Sequence, residues 1–304
     1  MKHRFLEITF SIVIFLSFSI AMDAQEEEEQ IVKPEKSDTI QGIYFGLNLG
    51  TYFSNKYTAN EYNGLGYNNF TGIKNFDIDQ SDLANTLGVN NPSLNPNYNQ
   101  VMQAIGGYNF VLEELPNNMR YTVGFLVGLH VSYYFNPSNS ILLNVNAIKL
   151  TSTDQFTLRL TDLSPTADPS QNRERQLFAI VGKEQRIQFL LGYQKVLGTP
   201  AVVNPYIELG GNMTLVKFDK NEIQINNFIT DITTDYDFSS NVATLSRIQT
   251  GAGFGGFASL GLQIKLGDRF GLNFGYIASV EKIALGLDQK HKLQNTIMLR
   301  AIYL

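Results

Sequence analysis

The chain contains no cysteine. That single absence removes disulfides, thiolate metal sites, a cysteine nucleophile and a lipid-bearing cysteine together. Charge is sparse: charged residues make up 17% of the chain and the net charge is −5. No basic cluster accompanies that balance. Nucleic-acid binding needs a Lys/Arg footprint, so nucleic acid is excluded as a partner. Histidine is scarcer still, with three in all. Past the N-terminus there is no apolar run of the roughly 18 residues that a membrane-crossing helix needs. What is plentiful is small or aromatic, with 25 glycines and 12% aromatic residues. Mean hydropathy sits near zero, as it does when apolar and polar residues alternate.

The N-terminus reads as a targeting signal. Lys2, His3 and Arg4 form a basic start, and the apolar stretch Ile8 to Ile20 is too short to anchor the chain in a membrane. Residues 1–24 are assigned to a signal peptide cut after Ala24, with Ala21 as the alternative. Residues 25–40 form an acidic periplasmic tether, because Glu26, Glu27, Glu28 and Glu29 repel one another and no apolar period follows. Asp38-Thr39-Ile40 resembles the short acceptor of periplasmic O-glycosylation seen in Bacteroidota. Thr39 is therefore a glycan candidate, set against a plain linker.

The centre of the pattern is Tyr121 to Thr151. Tyr121, Val123, Phe125, Val127, Leu129, Val131, Tyr133 and Phe135 take every second position, and smaller or more polar residues lie between them. Successive strand side chains point to opposite faces, so this is one long strand with an unbroken apolar face. Asn136-Pro137-Ser138-Asn139 turns it, and Ile141, Leu143, Val145 and Ala147 carry the return arm against Asn144 and Asn146. Such an arm exceeds the usual soluble strand of about 5–6 residues and suits a tilted membrane-crossing one. Further strands are expected at 41–53, 185–197, 205–218, 251–266, from Phe270 onward, and at 293–304. The reversals near 136–139, 198–204 and 267–269 are short. Those near 54–120, 161–184, 219–250 and 284–292 are longer, and the first holds a short helix around Asp79 to Leu87. Even strand number with alternating short and long connections predicts an all-β fold. Residues 41–304 make an eight-stranded antiparallel up-and-down transmembrane β-barrel with long extracellular loops, both termini periplasmic.

Alternation alone also fits a soluble β protein with its apolar face inward. Three features favour lipid outside. The opposite face is mostly Gly, Ser, Thr, Asn and Gln, which suits a crowded small-barrel lumen. The aromatics Tyr133, Phe135, Tyr193, Phe270, Tyr276 and Tyr303 fall near strand ends on the apolar face, as interface girdles do. The last strand must also pair, since lipid tolerates no raw edge. A lumenal polar network is assigned to His130, Arg186, Glu208, Lys265 and Arg300, with Glu208 pairing Lys265, because buried charges need partners. Its expected role is a structural plug, with a proton or ion path as the alternative.

Catalytic chemistry has little to work with. Beyond the signal only His130 and His291 remain, and no Gly-x-Ser-x-Gly elbow or paired-histidine metal spacing is present. Asp77-x-Asp79-x-Ser81 opens like a calcium loop, but Asp82 stands where the turn glycine belongs and Gly88 where the bidentate Glu belongs. The glycines at 251, 253, 255 and 256 precede alternating strand residues, not a helix, so they thin the wall and do not cradle a phosphate. No catalytic residue, metal or cofactor is assigned.

A signal, a tether and a first strand of the form Ile43-Tyr-Phe-Gly46-Leu-Asn48-Leu-Gly50 resemble the PorT-like outer-membrane barrel family of Bacteroidota, over roughly Gln41 to Leu304. The long first loop and the final Tyr303-Leu304, in place of a terminal Phe, depart from that pattern. The resemblance implies an eight-stranded barrel, some of whose relatives serve type IX secretion and gliding. The expected function is a non-enzymatic integral barrel of the cell outer membrane, in contact with its lipid, that binds or scaffolds protein partners through its extracellular loops. The alternatives are a barrel enzyme acting on lipid A or peptides, and a small-solute pore.

Overall fold

A computed structural model of the chain describes residues 41–66, 74–162, 174–198, 202–232, 250–266, 270–284 and 290–303. The expected signal peptide, tether and Thr39 acceptor, and the turn at 267–269, lie outside the described residues. Eleven strands are described: β1 Gly42–Phe53, β2 Phe110–Glu114, β3 Arg120–Tyr121, β4 Gly124–Asn136, β5 Asn139–Leu160 and β6 Arg175–Val196. There follow β7 Val203–Ile225, β8 Phe228–Asp231, β9 Thr250–Lys265, β10 Phe270–Ile283 and β11 His291–Tyr303. A 3-10 turn at Thr58–Tyr62 and two helices, α1 Asp82–Leu87 and α2 Pro96–Ala104, lie between β1 and β2.

Eight of the strands close on themselves. The order β1-β4-β5-β6-β7-β9-β10-β11 returns to β1, and every neighbour is antiparallel. Closure leaves no unpaired edge in the ring. Its apolar face points outward. Phe125 is 65% exposed, Leu191 61%, Leu209 59% and Leu260 64%, while Asn48, His130, Asn144, Glu208 and Arg300 on the other face are buried. A water-soluble barrel would lose roughly 25 cal/mol for each Å² of apolar surface left in water, and here the exposed set covers the whole belt. The polarity is that of a barrel surrounded by lipid. On β5 the apolar residues Ile141 to Ala147 lie between Asn139 and Lys149, which stand about 25 Å apart along the barrel axis at a rise of ~3.3 Å and the ~40° tilt usual for such barrels.

The strands are unequal. β1, β4, β10 and β11 have 12, 13, 14 and 13 residues, whereas β5, β6 and β7 have 22, 22 and 23. The three long strands rise past the belt at the loop end, and there their polarity reverses. On β5 the outward residues change from Ile141, Leu143, Val145 and Ala147 to Lys149, Thr151, Thr153 and Gln155. The inward ones change from Ser140, Leu142, Asn144 and Asn146 to Ile148, Leu150, Phe156, Leu158 and Leu160. On β7 a bulge beside Asp219 shifts the register against Lys183 and Glu184. Phe218 below it and Asn221, Ile223 and Ile225 above it therefore all face inward, as an extra residue flips the parity.

This projecting wall, widened by β2 on β5 and β8 on β7, has a soluble-type core. Phe156, Leu158, Phe178, Ile180, Phe218 and Ile223 pack against Tyr62, Leu83, Leu87, Val101 and Met119 from the segment between β1 and β4. That segment was expected to be a polar loop with one short helix. It is instead a folded cap. Ser81 caps α1 by accepting from Ala84 N–H at 3.0 Å, and Asn95 caps α2, with Pro96 at its first position. Two strand expectations are corrected with it. Residues 175–184 and 219–225, read as polar loop, are strand. Tyr121, placed on the lipid-facing strand, lies in β3 and turns into the barrel mouth.

Candidate functional site

Two polar clusters occupy the interior. The deeper one joins strands far apart in the ring. Arg300 on β11 donates through Nη1 to Glu208 on β7 at 2.8 Å and through Nε to Asn48 Oδ1 at 3.2 Å. Asn48 in turn donates to Asn144 and Asn146, each at 3.0 Å, and His130 Nδ1 lies 2.8 Å from Asn144 Oδ1. An amide oxygen only accepts, so Nδ1 carries the proton and His130 is neutral or doubly protonated, not the other tautomer. Both ions of the Glu208–Arg300 pair have 0% side-chain exposure. A pair so placed survives desolvation only with added hydrogen bonds, which Asn48 supplies to the arginine.

The upper cluster closes the mouth. Arg186 and Glu184 are two residues apart on β6, both facing inward, and their Nε–Oε1 distance is 2.6 Å. Arg186 also donates to Tyr52 Oη at 3.1 Å and to Thr58 Oγ1 at 3.0 Å. Glu184 Oε2 accepts from Tyr62 at 2.9 Å and Tyr121 at 2.7 Å. Tyr52 donates onward to Glu281 at 3.2 Å, whose other oxygen accepts from Asn212 at 2.8 Å and Thr214 at 2.6 Å. The cap is thus bolted to the barrel. Tyr62 also stacks on Phe218 at 4.4 Å, and a Cβ at Gly182 would collide with the Tyr62 ring. Burial, with the Glu184 carboxylate next in order, pushes the Tyr62 and Tyr121 hydroxyls well above the ordinary phenol value. Both stay protonated and donate.

No protein-family model and no curated protein matches this chain. Among solved structures, the outer membrane protein OprG of Pseudomonas aeruginosa aligns at 12% identity and TM-score 0.37, covering 87% of this chain and 96% of its own. Neisserial surface protein A aligns at 9% identity and TM-score 0.35, covering 86% of this chain and 96% of its own. AlkL, determined in DMPC bilayers, aligns at 12% identity and TM-score 0.32, covering 91% and 96% respectively. The fold stands on the strand register and not on these likenesses.

The five lumenal residues read from the sequence divide. His130, Arg186, Glu208 and Arg300 are buried inside the ring, but in two groups. Lys265 is only half-buried at the end of β9, level with Gly271. The expected Glu208–Lys265 pair is not formed; Glu208 faces Arg300, because strand stagger brings β7 and β11 together across the lumen. Sequence reasoning missed Glu184, Glu281, Tyr52, Tyr62 and Tyr121. Glu281 has inward parity on β10 and was findable. Glu184 was hidden by ending its strand too early. His291 is exposed at the start of β11, distant in register from His130. The arrangement offers clamped carboxylates and neutral phenols, and among the described residues no group of three or more His, Cys, Asp or Glu is placed to hold a metal.

Proposed function

We propose that this chain is an integral barrel of a bacterial outer membrane that acts without catalysis, presenting its loop-end cap to binding partners. The loop end faces outward and both termini lie in the periplasm. The observation that carries this reading is the cap itself. A folded module, sharing one apolar core with the projecting wall, is fastened over the barrel mouth through buried hydrogen bonds to Glu184 and Arg186. A channel or a rim-built active site would leave that mouth open. The cap also holds two isolated apolar tips, Phe76 at 87% exposure and Leu94 at 82%, of the kind that anchor protein contacts. The resemblance of the first strand to PorT-like barrels narrows the reading to an accessory of a secretion assembly such as type IX. The test is affinity purification from detergent-solubilised outer membrane. A specific partner should co-purify with the wild type and be lost with Phe76→Ser/Leu94→Ser, while the variant still folds. Equal recovery from both would remove the cap as the binding surface. Unchanged envelope phenotype in His130→Ala/His291→Ala is expected; loss of a lipid- or peptide-modifying activity there would revive the enzyme.

A further inference from the structure

The outward face of β5, β6 and β7 changes chemistry between two adjacent rows. In the last apolar row Ala147, Ile187 and Leu215 stand side by side. One row toward the loop end, Lys149, Gln185 and Lys217 are paired strand to strand, and both lysines are exposed. One row higher Lys183 is opposite Lys220. Those two share Glu222, at 2.7 and 3.2 Å, and Gln185 donates to Asp219 at 3.5 Å. Four ammonium groups therefore face three carboxylates, Asp219, Glu222 and Asp231, where the apolar belt ends. Among the described residues Lys149 and Lys217 form no ion pair. Farther round the ring Lys282 is also outward and exposed, opposite Phe254 and His291.

We propose that this basic collar binds the phosphate groups of anionic lipid headgroups in the leaflet on the loop side. The inference rests on the membrane reading above and adds to it a lipid class and a site. A lysine one row beyond the apolar belt lays its stem on that belt and lifts its ammonium to headgroup height. An anionic surface attracts each such charge and a zwitterionic one does not. The collar is continuous with the belt, so its occupant is whatever molecule already covers the belt.

The experiment places the full mature chain in nanodiscs holding equal parts of phosphatidylcholine and phosphatidylglycerol, then counts retained lipids by native mass spectrometry. The wild type should retain phosphatidylglycerol preferentially. Lys149→Gln/Lys217→Gln should lose that preference by about fivefold per lysine, whereas Lys195→Gln, a lone charge at the turn-end boundary, should lose at most its own single share of about fivefold. Equal retention by wild type and the double variant overturns the proposal, as does an equal loss with Lys195→Gln. Inorganic phosphate that abolishes the preference shows a free-anion site and also overturns it. A protein that never enters the nanodisc and stays folded in plain buffer overturns the membrane reading, and the collar with it; one that inserts without lipid preference overturns the collar alone.

Discussion

Arg300 is the clearest residue-scale test of the interior. Replacing it by Met leaves Glu208 buried and unpaired, which should destabilise the barrel by about 3–5 kcal/mol. Adding Glu208→Gln should recover much of that loss, because the buried charge goes with its partner. Denaturant unfolding in detergent, followed by tryptophan-free probes such as far-UV circular dichroism, reads both variants. If the single variant is as stable as the wild type, the pair does not hold the ring together. Gly261 makes a second test. A Cβ there would come 2.6 Å from the Tyr206 ring and closer to the Phe274 carbonyl, and neither a ring wedged in the lumen nor a strand backbone gives way cheaply. Gly261→Val should lower stability by about 1–3 kcal/mol and weaken the heat-modifiable band shift on gels. At this scale the sequence was half legible. Parity told which of His130, Arg186, Glu208 and Arg300 point inward. It could not tell that Glu208 meets Arg300, because height along the axis depends on stagger between strands that no alternation records.

At the scale of the element, β6 and β7 explain the misread boundaries. Both strands were ended where their outward side chains stop being apolar, near Gln185 and Phe218. The period of two continues past those points with the polarity exchanged: Phe178 and Ile180 face in, and Lys183 faces out. A reader following the greasy phase loses the strand at the moment it leaves the lipid. The Asp219 bulge hides it further by shifting the phase by one. The bulge carries a prediction. Deleting Asp219 together with Lys220 should turn Asn221, Ile223 and Ile225 outward, whereas losing Asp219 alone makes the ladder regular and keeps them inward. The cap would then lose its floor while the barrel below persists. Limited trypsin digestion should cut the cap of the deletion variant and spare the wild type, with the membrane-embedded fragment protected in both. An intact cap in the double deletion would show that the phase of β7 past Phe218 does not position the floor of the cap.

For the whole molecule, the barrel class was legible because eight weak alternating segments agreed with the pattern of connections. The cap was not, since its helices are short and its apolar residues have no partner visible in their own segment. Two measurements test the assembled picture. Spin labels at Leu129 and Leu272 should contact oxygen dissolved in lipid and not a water-soluble relaxation agent; the reverse would put the belt in water. In planar bilayers the protein should show no steady conductance above bare lipid, because Tyr52, Arg186, Glu184 and Glu281 are knotted across the mouth. Stable channels would mean that this knot opens.

Because, among the described residues, three neighbouring strands outgrow the other five, the barrel has a front and a back. A companion sliding toward it in the plane of the bilayer meets a tall palisade on one flank and a low sill on the other. Rotation about the membrane normal is then not a neutral degree of freedom: any assembly that incorporates this protein must choose which flank it touches.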